Sequence, residues 1–336
     1  MKGKLIFALM IIFAVAYAYS DDSPILRETA FSAVAAYYPS NLSGYESSGF
    51  SPISYDFLEG GDGERDLGST WGGAEGKVSL SHTMTIPALR GEGPLFADNN
   101  IALKATGELS PVSLNALFQV SLTPIAFLKF SAGTGIGTGF TLGFKGLAAN
   151  PLPSGEELDD EPFGGAVYRF WLSGTFQFDF AALFPGDWNH VVFQITPEFE
   201  YKAYTGAGTN EAWLWEADKG ENFNAFKYNG TYFIGYQMPL KVNLAGFLLE
   251  TEEWLGSVRS LSPMDSGWGS DFVTMNFGPI ANVQLSGRSS LAILVQFKTG
   301  RDYTDATTRR RSFQERIFED TYVYFNRIAV SYSLNL

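Results

Sequence analysis

Over long stretches of this chain apolar side chains recur at every second position, the spacing of a β-strand with one greasy face. From Ile328 onward, Ile328, Val330, Tyr332, Leu334 and Leu336 share one face, and Arg327, Ala329, Ser331, Ser333 and Asn335 share the other. The clearest case is 166–182, where Tyr168, Phe170, Leu172, Phe176, Phe178 and Phe180 oppose Arg169, Trp171, Ser173, Thr175, Gln177 and Asp179. In 190–204, Val191, Phe193, Ile195, Phe199 and Tyr201 alternate with Gln194, Thr196, Glu198, Glu200 and Lys202.

The same rhythm predicts strands over 128–145, 226–238, 273–285 and 291–298, and shorter ones over 77–86, 101–109, 112–123 and 242–249. A soluble sandwich also alternates, because one face packs on a second sheet. Strands of about 15 residues, however, exceed the five or six usual in globular sheets and suit a tilted membrane strand with extensions. Connections alternate in the later chain: 185–188, 238–240 and 286–289 are short, whereas 148–164, 205–223, 253–270 and 301–317 are long and polar. Short turns on one side and long loops on the other are the habit of a membrane barrel. The expected fold is therefore all-β, a transmembrane antiparallel up-and-down barrel of about 12 strands, with 10 or 14 as alternatives. The wall is expected over 76–336, and 19–75 reads either as an extra strand or as a periplasmic or plugging segment.

Residues 1–18 read as a signal peptide. Lys2 and Lys4 precede the apolar run Leu5 to Ala16, and Ala16-Tyr17-Ala18 supplies a small-x-small cleavage pattern. That run is too short to span a bilayer as a helix, which takes about 20 residues. The sequence has no Cys, so no disulfide supports an exported fold and no lipobox cysteine is present. Phe 29, Tyr 16 and Trp 7 beside Gly 36 is a mixture suited to a barrel, with aromatic girdles and glycine-relieved strands. A net charge of -13 argues against nucleic acid as a partner, since phosphate binding needs a basic field.

The leader, the terminal strand and the Gly-aromatic repeats resemble bacterial outer-membrane barrels. Leu109-Ser110-Pro111-Val112, Thr123-Pro124-Ile125-Ala126-Phe127-Leu128 and Gly135-Ile136-Gly137-Thr138-Gly139 resemble poorly characterised spirochaetal members of that class. The resemblance implies a bacterial outer-membrane location, with outer-membrane lipid and the barrel-assembly machinery as partners.

Motifs for other chemistry are weak. The run Gly133 to Gly139 is G-x-G-x-G-x-G with no following helix, so it reads as inward glycine on a strand and not as a phosphate loop. His82 and His190 are the only histidines, and neither H-E-x-x-H nor G-x-S-x-G occurs. No enzyme activity, cofactor or metal is expected. The acids Glu156, Glu157, Asp159, Asp160 and Glu161 lack EF-hand spacing and read as a solvated loop, as do Arg309, Arg310 and Arg311. Trp213, Trp215, Trp254 and Trp268 fall near strand ends, where an aromatic belt is expected.

Transport chemistry would be written on the inward face. Lys129, Arg169, Asp179, Glu198, Glu200, Lys202, Lys227, Lys298 and Arg327 mix both signs there among Ser, Thr, Asn and Gln. A twelve-stranded wall lies between the filled eight-stranded barrel and the open porin of 16 to 18 strands. The expectation is a narrow porin-like channel for small polar solutes; the alternative is a non-enzymatic surface barrel whose outer loops bind host or envelope partners.

Overall fold

A computed structural model of the chain describes residues 25–39, 73–140, 147–149, 164–209, 213–216, 222–260, 272–303 and 318–336. Twelve strands close into one antiparallel barrel. In chain order they are β1 (Leu26–Tyr38), β2 (Gly73–Pro87), β3 (Asn100–Leu109), β4 (Ser113–Ile125), β5 (Leu128–Gly139), β7 (Val167–Asp179), β8 (Val191–Tyr204), β10 (Ala225–Gln237), β11 (Val242–Trp254), β12 (Thr274–Gln284), β13 (Ser289–Tyr303) and β14 (Phe318–Asn335). Outside the wall, β6 (Leu147–Ala149) pairs with β9 (Trp213–Trp215), tying the β5–β7 connection to the β8–β10 connection. The wall begins at Leu26 and not at residue 76, because β1 lies between β14 and β2 and completes the ring. The leader at 1–18 lies outside the described residues, as do the acidic loop at 156–161, Trp268 and the 309–311 arginines.

Side-chain alternation sets which face of the wall meets which environment. Outward positions carry large apolar groups left bare, among them Leu80, Ile136, Phe170, Leu172, Phe199 and Phe226, each more than half exposed. Cross-strand rings form an arc on this face: Phe247, Phe277, Phe297 and Phe325 follow one another at centroid separations of 6.3, 6.1 and 5.5 Å. An apolar surface of this extent, running round the whole molecule, is what hydrocarbon covers and water does not. The interior inverts the soluble pattern, burying Glu200, Lys227, Gln296 and Asn326.

Two irregularities place side chains that simple alternation misplaces. In β14 the register slips between Gln296↔Arg327 and Phe297↔Phe325, leaving Asn326 as the extra residue of a bulge. Phe325 and Ile328 therefore both face outward although three positions apart, and the regular period resumes only at Ile328. In β11 a shift at Val242/Leu244 makes Asn243 the unpaired residue, and its side chain accepts from Asn282 at 2.7 Å.

The strand ends sort by rim. One rim carries the connections 88–99, 126–127, 180–190, 238–241 and 285–288; the other carries the turn 110–112 and the strand ends at Tyr38, Gly139, Tyr204, Trp254 and Tyr303. Ser110–Val112 closes a tight turn through Ser110 N–H to Ser113 O at 2.9 Å, and a register shift marks the turn after Thr123.

Candidate functional site

The inward glycines of β5 are the starting point, because they recess the wall. By register Gly133, Gly135 and Gly137 stand opposite Gln119, Leu117 and Asn115 of β4 on the inner face. A Cβ on Gly133 would overlap the Trp171 indole, and one on Gly135 would meet the Leu117 methyl and the Arg169 stem. One on Gly137 would meet Asn115 and Trp215. The missing side chains are thus the space into which Trp171, Arg169 and Trp215 settle. Arg169 lies over the Trp171 ring, 4.9 Å from its centroid, an arrangement that fixes a long cationic side chain along the wall.

The second element is a segment that enters the mouth from the β8–β10 connection. Trp213 of β9 is fully buried, held by its backbone to Asn222 and by its ring to Tyr204 at 5.7 Å. Three residues on, Glu216 crosses the lumen to the opposite wall. Its carboxylate accepts from Ser113 at 2.6 Å, from Asn115 at 3.1 Å and from the Lys77 ammonium at 3.0 Å. Glu216 sits at φ 54, a left-handed conformation that costs a non-glycine residue on the order of 1 kcal/mol and that these three bonds offset. Burial pushes the Glu216 carboxyl up, but the Lys77 charge and the hydrogen bonds from Ser113, Lys77 and Asn115 outweigh it, so the group stays below the ordinary glutamate range. Residues 213–216 therefore form a strap across the mouth.

Beneath the strap lies a cavity of about 470 Å³ with a mainly polar lining. Its walls come from β1, β2, β3, β4, β7, β8 and β14, so it is the lumen itself. Lys104, Glu108, Arg169 and Glu198 supply charge, and Ser79, Ser81, Thr106 and Gln119 supply hydroxyl and amide groups. Glu108 shares Lys77 with Glu216, at 3.6 Å, which couples the cavity wall to the strap.

The residues singled out from sequence take these places. Arg169 and Glu200 face each other at 3.5 Å, and Asn229 donates to both Glu198 and Glu200 at 3.3 and 3.2 Å. Lys227, buried, meets Glu252 at 2.6 Å and lies over Trp254 at 4.3 Å. Lys202 donates to Asn222 at 3.0 Å and lies 5.2 Å from the Trp213 ring. Arg327 donates to Gln296 at 2.7 Å, and reaches Tyr38 and Glu75 at 3.3 and 3.4 Å. Asp179 sits at the short-turn rim with His190 at 2.6 Å and caps the turn at Ala181. Lys129 stands opposite Thr175, and Lys298 opposite Asn276.

The expected belt role of the tryptophans is corrected by this geometry. Trp213 and Trp254 are buried and Trp215 abuts Gly137, because the strap, and the Lys202 and Lys227 ammonium groups over Trp213 and Trp254, hold them inside the mouth. Sequence reasoning missed Lys77, Lys104, Glu108, Glu216, Glu250 and Glu252. Five of these sit at inward positions of β2, β3 and β11, where the period-two rule reaches them; in β11 the pattern is masked because Leu244 to Leu249 is apolar on both faces.

No protein-family model matches the chain, and no curated protein matches it. Among solved structures it is similar to the outer membrane channel DcaP of Acinetobacter baumannii, at 8% identity over 93% of this chain and 97% of that one, with a TM-score of 0.37. It is also similar to a Pseudomonas aeruginosa FadL homologue, at 8% identity over 96% and 92%, with a TM-score of 0.31. With TM-scores this low, the architecture stands on the strand register of the chain itself.

Proposed function

We propose that the chain is a bacterial outer-membrane channel that passes small polar solutes through a strap-narrowed lumen. One observation carries this reading: a cavity of about 470 Å³ with charged, hydroxyl and amide groups along its walls lies inside a closed barrel whose outer face is apolar. A wall built only for anchoring needs no polar cavity, whereas a solute path needs groups that replace part of a solute's hydration. Outer-membrane lipid along the apolar face and the assembly machinery that inserts the barrel are its partners in this reading, and it involves no catalytic step.

Conductance in a planar bilayer tests it. The refolded protein should give small ohmic steps, and Glu216→Gln, which weakens the strap, should enlarge them. Absence of steps from both proteins overturns the channel reading.

A further inference from the structure

We propose that the cavity beneath the strap binds small zwitterions, solutes with an ammonium at one end and a carboxylate at the other, as in free amino acids and short peptides. The inference rests on the lumen being a solute path and names what that path selects. Lys104 on β3 and Glu198 on β8 line the same cavity. Three wall strands, β4, β5 and β7, separate them on that side of the ring. Among the described residues Lys104 forms no ion pair, and Glu198 accepts only from the neutral amide of Asn229 at 3.3 Å.

The other two charges of the lining already have ion-pair partners: Glu108 shares Lys77, at 3.6 Å, with Glu216, and Arg169 faces Glu200 at 3.5 Å. What is left for a ligand is one positive and one negative group at separate points of the wall. An anion alone would leave Glu198 without an ion-pair contact, and a cation alone would leave Lys104 so; a solute carrying both charges satisfies both. In the same lining Ser79, Ser81, Thr106 and Gln119 offer donors and acceptors of the kind a peptide group requires. The volume falls within the usual range for a small-molecule site, about 300 to 1,000 Å³.

Calorimetric titration of the full refolded chain in detergent micelles tests the site without requiring conduction. The probes are alanine, dialanine, trialanine, N-acetyl-dialanine and dialanine amide. At least one of the three zwitterions should bind saturably, and the tightest of them separates the amino-acid source from the peptide source. Acetylation and amidation of dialanine should each weaken binding about tenfold, the scale of one lost charge contact. Lys104→Met should remove the difference between dialanine and its amide, and Glu198→Gln the difference between dialanine and its acetyl form. Lys129→Met, inward but outside the cavity lining, should change neither. No saturable heat with any of the three zwitterions, or binding indifferent to blocking both termini, overturns the proposal. The ligand-side comparison decides even if a variant fails to refold. Binding without conductance removes the channel reading alone, and conductance without binding removes this one.

Discussion

Trp171 occupies the space that a side chain on Gly133 would fill: the indole of β7 lies across the bare backbone of its register partner on β5. The pair explains the first glycine of a run that resembles a phosphate-binding loop by spacing alone. Gly133→Ala should therefore destabilise the barrel by about 1 to 3 kcal/mol, the cost of overpacking a fitted site. In a Trp171→Ala background the same change should cost well under 1 kcal/mol, because the overlapping ring is gone. Urea unfolding of the four proteins in micelles completes the cycle, and equal costs in both backgrounds would show that the indole does not set the glycine requirement.

Leu172 and Phe199 stand directly opposite each other on the outer face, each more than half exposed. Leu172→Arg or Phe199→Arg should lower barrel stability in lipid by about 2 to 4 kcal/mol, as for a cation near the bilayer midplane. Ser173→Arg turns inward beside Glu198 and should be far milder. Folded yield in vesicles is the measure; similar losses at all three positions would reverse the face assignment.

Strap docking should depend on pH through Glu216. Its carboxyl is held below the ordinary glutamate value, so the stabilisation is fully present above that value, about 4.3, and is lost as pH falls through the lower folded value. Conductance should stay flat from pH 5 to 8 and rise in stronger acid, and Glu216→Gln should be insensitive over the same range. A wild-type midpoint near neutrality would assign the response to another group.

The two rims should differ in access. A single Cys replacing Gly208, in the β8–β10 connection, should react on intact cells with an impermeant reagent. Cys replacing Asp187 or Gly287 should stay protected until the outer membrane is opened. The opposite labelling pattern would turn the barrel over.

Most of the wall was legible because an apolar outer face and a polar inner face impose a two-residue period on the strands, as in 167–179 and 191–204. It was hidden where that period breaks: at the Asn326 bulge, where two consecutive residues share the inner side, and in β11, where inward Leu244 and Leu248 match the apolar outer face. Arg169, Glu198 and Glu200 could be placed from alternation alone. Glu216 could not, because its position depends on a connection folding back into the mouth and on partners 101 to 139 residues away.

All neighbours in the wall are consecutive wall strands in chain order except β1 and β14, whose partners, such as Ala36 and Ala329, sit at opposite ends of the sequence. The other pairings can zip as hairpins, each closing a comparatively short loop, while this seam must wait for nearly the entire chain. Arg327 stands on that seam, bonded to Tyr38 and Glu75 on one side and to Gln296 on the other. The late cost of closure thus falls on this one seam, which Arg327 fastens beside the β1–β14 ladder, and until it engages the sheet presents two open edges, the state in which barrels aggregate.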